Sequence, residues 1–255
     1  MVNEMAKPMI MGNWKMNNTL AESKELLRQL SVLLPKQTDV EVVICPPFTA
    51  LCGLGECMPE GVALGAQNMH PAASGAFTGE ISAAMLKEAG CRYVIIGHSE
   101  RRHVLGESDE LIAAKVSACM KATMVPVLCV GETLSQREQG VGAEVVKSQL
   151  IRGLAEVGSA EGELVIAYEP VWAIGSGKAA SAVQAEEMLQ VVKEVIASYP
   201  ASIRAARLLY GGSVTPANIH EFSAREIIDG ALVGGVSLKA DQFAELVRVT
   251  SESTR

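Results

Sequence analysis

The sequence predicts a single-domain α/β protein, a (β/α)8 barrel. Three observations carry that expectation. Eight short apolar runs recur along 255 residues, at an average spacing of roughly 30 residues. Each run is mostly continuous and not alternating, as parallel strands buried on both faces require. Helical patterns fill most of the gaps, and no linker or low-complexity stretch divides the chain, which puts residues 1–255 in one domain. An open doubly wound sheet would alternate in a similar way, but no GxGxxG follows the first run.

The first strand is expected at Met9–Gly12. A helix over Glu22–Leu34 follows, with Leu26, Leu27, Leu30 and Leu33 on one face. Strands are expected next at Val40–Cys45 and Val62–Ala66. Ser82–Ala89 reads as a helix stopped by Gly90, ahead of a strand at Tyr93–Ile96. Leu111–Lys121 carries Ile112, Val116 and Cys119 at helical spacing and leads into a strand at Val125–Val130. Val145–Leu154 carries Val146, Leu150 and Leu154, before a strand at Leu164–Tyr168. Val183–Ala197 carries Leu189, Val192 and Ile196, before Leu208–Tyr210. Thr215-Pro216 has the form of an N-cap with Pro at the first helical position. A strand at Ala231–Val233 and a helix at Phe243–Val249 complete the pattern.

Composition narrows the function. Only 4% of residues are aromatic while 49% are hydrophobic, so Val, Ile, Leu, Ala and Met must build the core. A net charge of −7 without any basic run excludes nucleic acid and anionic membrane surfaces as partners. An anionic ligand must therefore be held by local groups. Cys45, Cys52, Cys57, Cys91, Cys119 and Cys129 form no CxxC pair, and the four histidines show no metal-ligand spacing with them. They read as reduced, mostly buried thiols, with no metal site. The first residues lack a signal-peptide core and no apolar run is long enough to span a bilayer. The expected location is the cytoplasm.

In a barrel of this kind the chemistry sits at the C-terminal strand ends. After the first strand come Asn13 and Lys15, which alternation along an extended segment would point into one space. After the fourth comes His98, with Ser99 as the expected N-cap of a helix; the positive helix end disfavours a protonated imidazole. Glu100 is placed to pair with Lys15. After the sixth comes Glu169, followed by Pro170, which stops the strand, and by an apolar segment with Trp172, Ile174, Gly175 and Gly177. An acid on a rigid strand end beside such a segment suits proton transfer under a water-excluding lid. Gly211-Gly-Ser213 and Gly234-Gly235 end the last two strands and offer backbone N–H groups to an anion. Cys129 ends an apolar run with no base beside it, so core packing in support of the site is expected of it, not nucleophilic attack. Each feature alone has a bland alternative: a surface Glu, a solvated Lys, a structural His, a tight turn. Jointly they fit proton abstraction next to a carbonyl on a small phosphorylated substrate.

Five motifs in order, across nearly the whole chain, resemble the triosephosphate isomerase family: Gly12-Asn-Trp-Lys15, Gly97-His-Ser-Glu-Arg-Arg102, Tyr168–Lys178, Tyr210-Gly-Gly-Ser213, and Leu232-Val-Gly-Gly235 followed by Ser237-Leu-Lys239. The resemblance implies interconversion of dihydroxyacetone phosphate and D-glyceraldehyde 3-phosphate through an enediol(ate), in glycolysis and gluconeogenesis, with no cofactor and no metal. It implies Glu169 as the proton shuttle and His98 as the neutral electrophile, a role known for this family. Lys15 would stabilise the oxyanion and the phosphate, and Asn13 would orient the substrate. Gly175, Ser213, Gly234 and Gly235 would bind phosphate. The lid would be Pro170-Val171-Trp172-Ala173-Ile174-Gly175-Ser176-Gly177-Lys178-Ala179-Ala180, again as known for the family. A homodimer is implied too, with the stretch Gln67–Glu80 reaching into the partner and Thr78 approaching the partner's site. The chain departs from the family pattern at Ser176 (usually Thr), at Ala179 (usually Thr) and at Lys193 (usually Arg), where a bidentate contact would be lost. A larger ketose–aldose isomerase and a non-catalytic anion-binding barrel are the alternatives. The single short lid argues against the first and the complete catalytic set against the second.

Overall fold

Every predicted strand forms, within a residue or two of its expected bounds. The computed structural model describes residues 7–36, 38–158, 162–173 and 180–253. The strands are β1 Met9–Asn13, β2 Glu41–Cys45, β3 Val62–Ala66, β4 Cys91–Ile96, β5 Val125–Val130, β6 Val165–Tyr168, β7 Arg207–Tyr210 and β8 Gly230–Val233. All pair in parallel with their sequence neighbours, and β1 also pairs with β8, so the sheet closes on itself. The family of folds is the (β/α)8 barrel expected from the sequence.

Burial on two sides accounts for the continuous apolar runs. One set of strand side chains fills the barrel interior: Met9 and Met11, Val43 and Cys45, Tyr93 and Ile95, Val127 and Cys129, Val165 and Ala167. The alternate set, including Ile10, Ile44, Val94, Leu128 and Ile166, packs against the surrounding helices. This parity aims the site. Asn13 continues the inward series of Met9 and Met11, and Glu169 continues that of Val165 and Ala167.

Sequence chemistry also sets the helix starts. Thr19 and Ser181 each close a capping box, at the heads of helices Leu20–Leu33 and Ala182–Ile196. Thr133 does the same for the short helix Leu134–Glu138, which the sequence pattern did not suggest. Ser108 caps Asp109–Lys121, two residues ahead of the expected start. The last helix runs over Ala240–Ser253, longer than its apolar stretch implied.

Thr215-Pro216 is a correction. The segment forms a turn, and the helix begins later, at Ile219–Ser223, with Asn218 as its N-cap residue. The Asn218 Oδ1 accepts from the Thr215 N–H at 2.8 Å. A side chain three residues downstream therefore captures the donor that a helix start would have left free.

Candidate active site

At the C-terminal ends of the strands lies a cavity of about 970 Å³, lined by Asn13, Lys15, His98, Glu169, Ser213 and Gly234, among others. The strand-end residues picked from the sequence thus meet around one space.

Glu169 follows β6 directly and is only 2% exposed. Its Oε2 accepts from the Ser99 N–H at 2.8 Å, and its Oε1 lies 3.1 Å from the His98 Nε2. The His98 Nδ1 accepts from the Glu100 N–H at 3.2 Å. An accepting Nδ1 leaves the single proton of a neutral ring on Nε2, the nitrogen that faces the carboxylate. Here the expectation for Ser99 is corrected. His98 itself is the N-cap of the helix Ser99–His103, and Ser99 is its first residue. A ring nitrogen two residues before the acceptor-seeking N–H does the work expected of a hydroxyl.

Arg102 stitches this strand end from behind. It donates to Gly97 O at 2.8 Å and to Cys129 O at 3.1 Å, and pairs with Asp109 at 2.6 Å. Cys129 is fully buried. Burial, and after it the charge of Glu169, push its thiol well above the usual value. It stays a neutral packing group, as expected. Cys45, Cys91 and Cys119 are also buried and shifted upward by burial, whereas Cys52 and Cys57 are exposed. Brief treatment of the native chain with iodoacetamide at neutral pH should alkylate these two and spare the other four. Peptide mass mapping reads the result; label on native Cys129 would contradict the packing described.

Lys15 adopts φ +53, so the chain is already turning there and the expected alternation from Asn13 does not apply. The two residues still share the cavity, because the Asn13 Oδ1 accepts from the Lys15 N–H at 3.0 Å and holds the turn. Gln67 braces it, donating to Lys15 O at 2.8 Å and to Cys45 O at 2.9 Å. The Lys15 Nζ lies 2.5 Å from the Glu100 Oε1, the pairing expected from the sequence.

Gly211 and Gly212 are required for close approach and not for left-handed backbone. None of Gly211, Gly212, Gly234 and Gly235 has positive φ. A Cβ on Gly211 would come within 2.8 Å of the Glu169 Cγ, and one on Gly212 would overlap the Tyr210 hydroxyl. A Cβ on Gly234 would sit 3.3 Å from the Lys15 Cε, which locates the Lys15 side chain beside this backbone. The Ser213 hydroxyl donates to Ala173 O at 2.8 Å, tying the strand-seven end to the start of the expected lid.

Of that lid, Pro170 to Ala173 and Ala180 are described, whereas Ile174, Gly175, Ser176, Gly177, Lys178 and Ala179 lie outside the described residues. Val171–Ala173 form a 3-10 turn, and Ala173 and Ala180 are both buried. Sequence reasoning missed the acid beneath this turn. Glu132, fully buried just past β5, accepts on Oε1 from the Tyr168 hydroxyl at 3.0 Å, from the Trp172 Nε1 at 2.8 Å and from Arg137 at 3.3 Å. Burial and this carboxylate raise the Tyr168 phenol well above its usual pKa, keeping it a donor. The signal was available: Gly131-Glu132 follows an apolar run just as Glu169 does.

Among the described residues no cluster of three or more His, Cys, Asp or Glu is arranged to hold a metal ion. Fold and site together define an enzyme of the (β/α)8-barrel class, its functional side chains gathered at the strand ends. A family model described as triosephosphate isomerase matches residues 8–250. The chain is 48% identical over 248 residues to the triosephosphate isomerase of Carboxydothermus hydrogenoformans, covering 96% of this chain and 99% of the relative. It is 47% identical over 247 residues to that of Moorella thermoacetica (95% and 98% covered), and 45% identical over 247 residues to that of Endomicrobium trichonymphae (96% and 99%). The chain belongs to the triosephosphate isomerase family.

Proposed function

We propose that Glu169, His98, Lys15 and Asn13 are the groups with which this chain performs its family's isomerisation. As a member of that family it is an isomerase that interconverts dihydroxyacetone phosphate and D-glyceraldehyde 3-phosphate, a step of glycolysis. The observation that carries the residue assignment is the placement of one buried carboxylate within 3.1 Å of an imidazole nitrogen, with Lys15 lining the same cavity.

Glu169 removes the proton from the carbon beside the substrate carbonyl. The electron pair moves to the carbonyl oxygen, where the His98 Nε2 proton and the Lys15 ammonium stabilise the growing negative charge. The neighbouring hydroxyl then gives up its proton as its oxygen becomes the new carbonyl, the former carbonyl oxygen takes up a proton through the His98 ring, and the same carboxylate returns its proton to the former carbonyl carbon. It first gives up its hydrogen bond from the Ser99 N–H and its contact with the His98 ring. Asn13 holds the Lys15 turn, and its amide orients substrate. The backbone of Gly175, Ser213, Gly234 and Gly235 cradles the phosphate, with residues 170–180 closing over it.

A coupled assay with D-glyceraldehyde 3-phosphate should show turnover that a chelator leaves unchanged. No turnover with either triose phosphate would end the reading.

We further propose one domain over residues 1–255, a cytoplasmic location, and a homodimer. No helix among the described residues is long and apolar enough to cross a membrane. Met16 is 95% exposed, and Phe77 and Met85 are about half exposed, which favours a second copy covering these side chains. Thr78, exposed in the same loop as Phe77, would then approach the partner's site. Sedimentation equilibrium should return about twice the chain mass of 27.0 kDa; a monomer mass would remove the dimer.

A further inference from the structure

We infer that Gln149 is a positioning residue for the reaction, acting on Glu169 and on the foot of the lid through a two-point amide clamp on Gly131. Gln149 lies on the helix Gly142–Gly153, behind β5, and is buried. The Gly131 N–H donates to its Oε1 at 2.7 Å, and its Nε2 donates to Gly131 O at 3.1 Å. One primary amide thus satisfies both backbone groups of a buried residue. Among side chains of this length only Gln supplies donor and acceptor together.

What Gly131 touches gives the clamp its consequence. A Cβ on Gly131 would overlap the Glu169 carbonyl oxygen, so the two main chains lie in direct contact at the base. The neighbours of Gly131 carry the rest of that segment. Glu169 N–H donates to Val130 O at 2.8 Å, and Val171 N–H donates to Glu132 O at 3.1 Å. The Tyr168 hydroxyl and the Trp172 Nε1 end on the Glu132 carboxylate. Residues 130–132 are therefore the rail on which residues 168–172 are set, and Gln149 fixes the middle of the rail to a helix. Releasing the clamp leaves two buried backbone groups unpaired, and the local backbone must move to satisfy them. That motion transmits directly to the carboxylate.

The inference rests on Glu169 being the base, so Glu169→Gln is measured alongside. Gln149→Met keeps the volume and removes both bonds; Gln149→Glu keeps an acceptor for the Gly131 N–H and loses the donor. Leu150→Ala, one residue along the same helix and fully buried, serves as a destabilised control whose apolar side chain makes no hydrogen bond to Gly131. Steady-state kinetics, thermal midpoints and tryptophan emission are recorded for each. For Gln149→Met, kcat should fall by about ten- to a hundredfold, with KM within about twofold. Gln149→Glu should fall between it and the parent. Emission should shift in Gln149→Met, because Trp172 ends on the rail while Trp14 is buried elsewhere. Leu150→Ala should lose thermal midpoint while keeping kcat and emission, measured where it is folded. Parent-like kcat in Gln149→Met, or an activity loss per degree of midpoint equal to that of Leu150→Ala, overturns the inference. Should Gln149→Met fail to fold, Gln149→Glu decides by the same readouts. If Glu169→Gln stays active, the base assignment has failed; if it is inactive while Gln149→Met is unaffected, only the clamp has failed.

Discussion

Glu169→Gln should lower kcat by about 10³- to 10⁴-fold while leaving KM for either triose phosphate nearly unchanged. Gln is close to isosteric with Glu, so it keeps the tight packing at Cγ, where a Cβ on Gly211 would already press at 2.8 Å. The variant amide oxygen can still accept from the Ser99 N–H, so the thermal midpoint should hold within a few degrees. What disappears is the proton acceptor, since an amide cannot take a proton from carbon. A coupled assay in each direction gives the rates. Incubating substrate in D2O adds an independent reading: the variant should fail to introduce deuterium at the carbon beside the carbonyl. Unchanged turnover or undiminished exchange in the folded variant would dismiss Glu169 as the base. The spent His98 contact gives a secondary expectation. The Gln Nε2 would face the His98 Nε2–H, donor against donor, which favours an amide orientation that gives up one of the two present bonds.

How much of this was legible depended on whether the cause was local. Strand positions were, because a barrel strand buried on both faces must be apolar throughout, and Val125–Val130 is an unbroken run. The meeting of Glu169, His98, Lys15 and Asn13 around one cavity was legible because polar residues just after such runs have one place to go. The Ser99 cap was misread because an imidazole nitrogen occupied the capping position, a role that residue statistics give to hydroxyls and carboxyls. Thr215-Pro216 was misread because Asn218, three residues on, took the donor first. Lys15 turned out to occupy a left-handed backbone, held by Asn13 and Gln67, and the Gln67 part of that brace comes from 52 residues away. The braces made by Gln149 and Arg102 were invisible for the same reason. Their partners Gly131 and Cys129 are backbone groups 18 and 27 residues away in sequence, and a sequence does not show which backbone a side chain will meet. The Lys193 departure resolves only in part. Lys193 is exposed, and its charge, with that of Arg207, acts on Asp229, whose carboxyl burial pushes up and the Leu208 N–H pulls down.

Lys15→Met should lower kcat/KM by about 10³-fold, with both a higher KM and a lower kcat. The chain carries a net charge of −7, so its overall field opposes a phosphate dianion. Within the cavity the opposition must be overcome locally. His103 at the rim does not help, because partial burial and then the Arg102 charge hold its pKa below the usual imidazole value. Lys15 is the cation beside the proposed glycine cradle, its Cε 3.3 Å and its Nζ 3.9 Å from where a Gly234 Cβ would stand. Two unit charges about 4 Å apart interact by about 4 kcal/mol at the effective dielectric of a partly wet site. At about 1.4 kcal/mol per decade this corresponds to roughly three powers of ten. The pairing with Glu100 at 2.5 Å offsets part of the cation's charge, but that carboxylate is about half exposed and so is screened by water. Met is a clean replacement, because it is unbranched at Cβ like Lys and meets the same cost at φ +53. The division between the two constants carries the mechanism. If the ammonium only gripped the phosphate, ground state and transition state would lose equally, and KM alone would rise. In the proposed mechanism it also faces the oxygen on which charge develops, so kcat should fall as well. A variant that binds more weakly yet turns over at the parent rate would confine Lys15 to the phosphate, and one within tenfold of the parent in kcat/KM would remove it from the catalytic set.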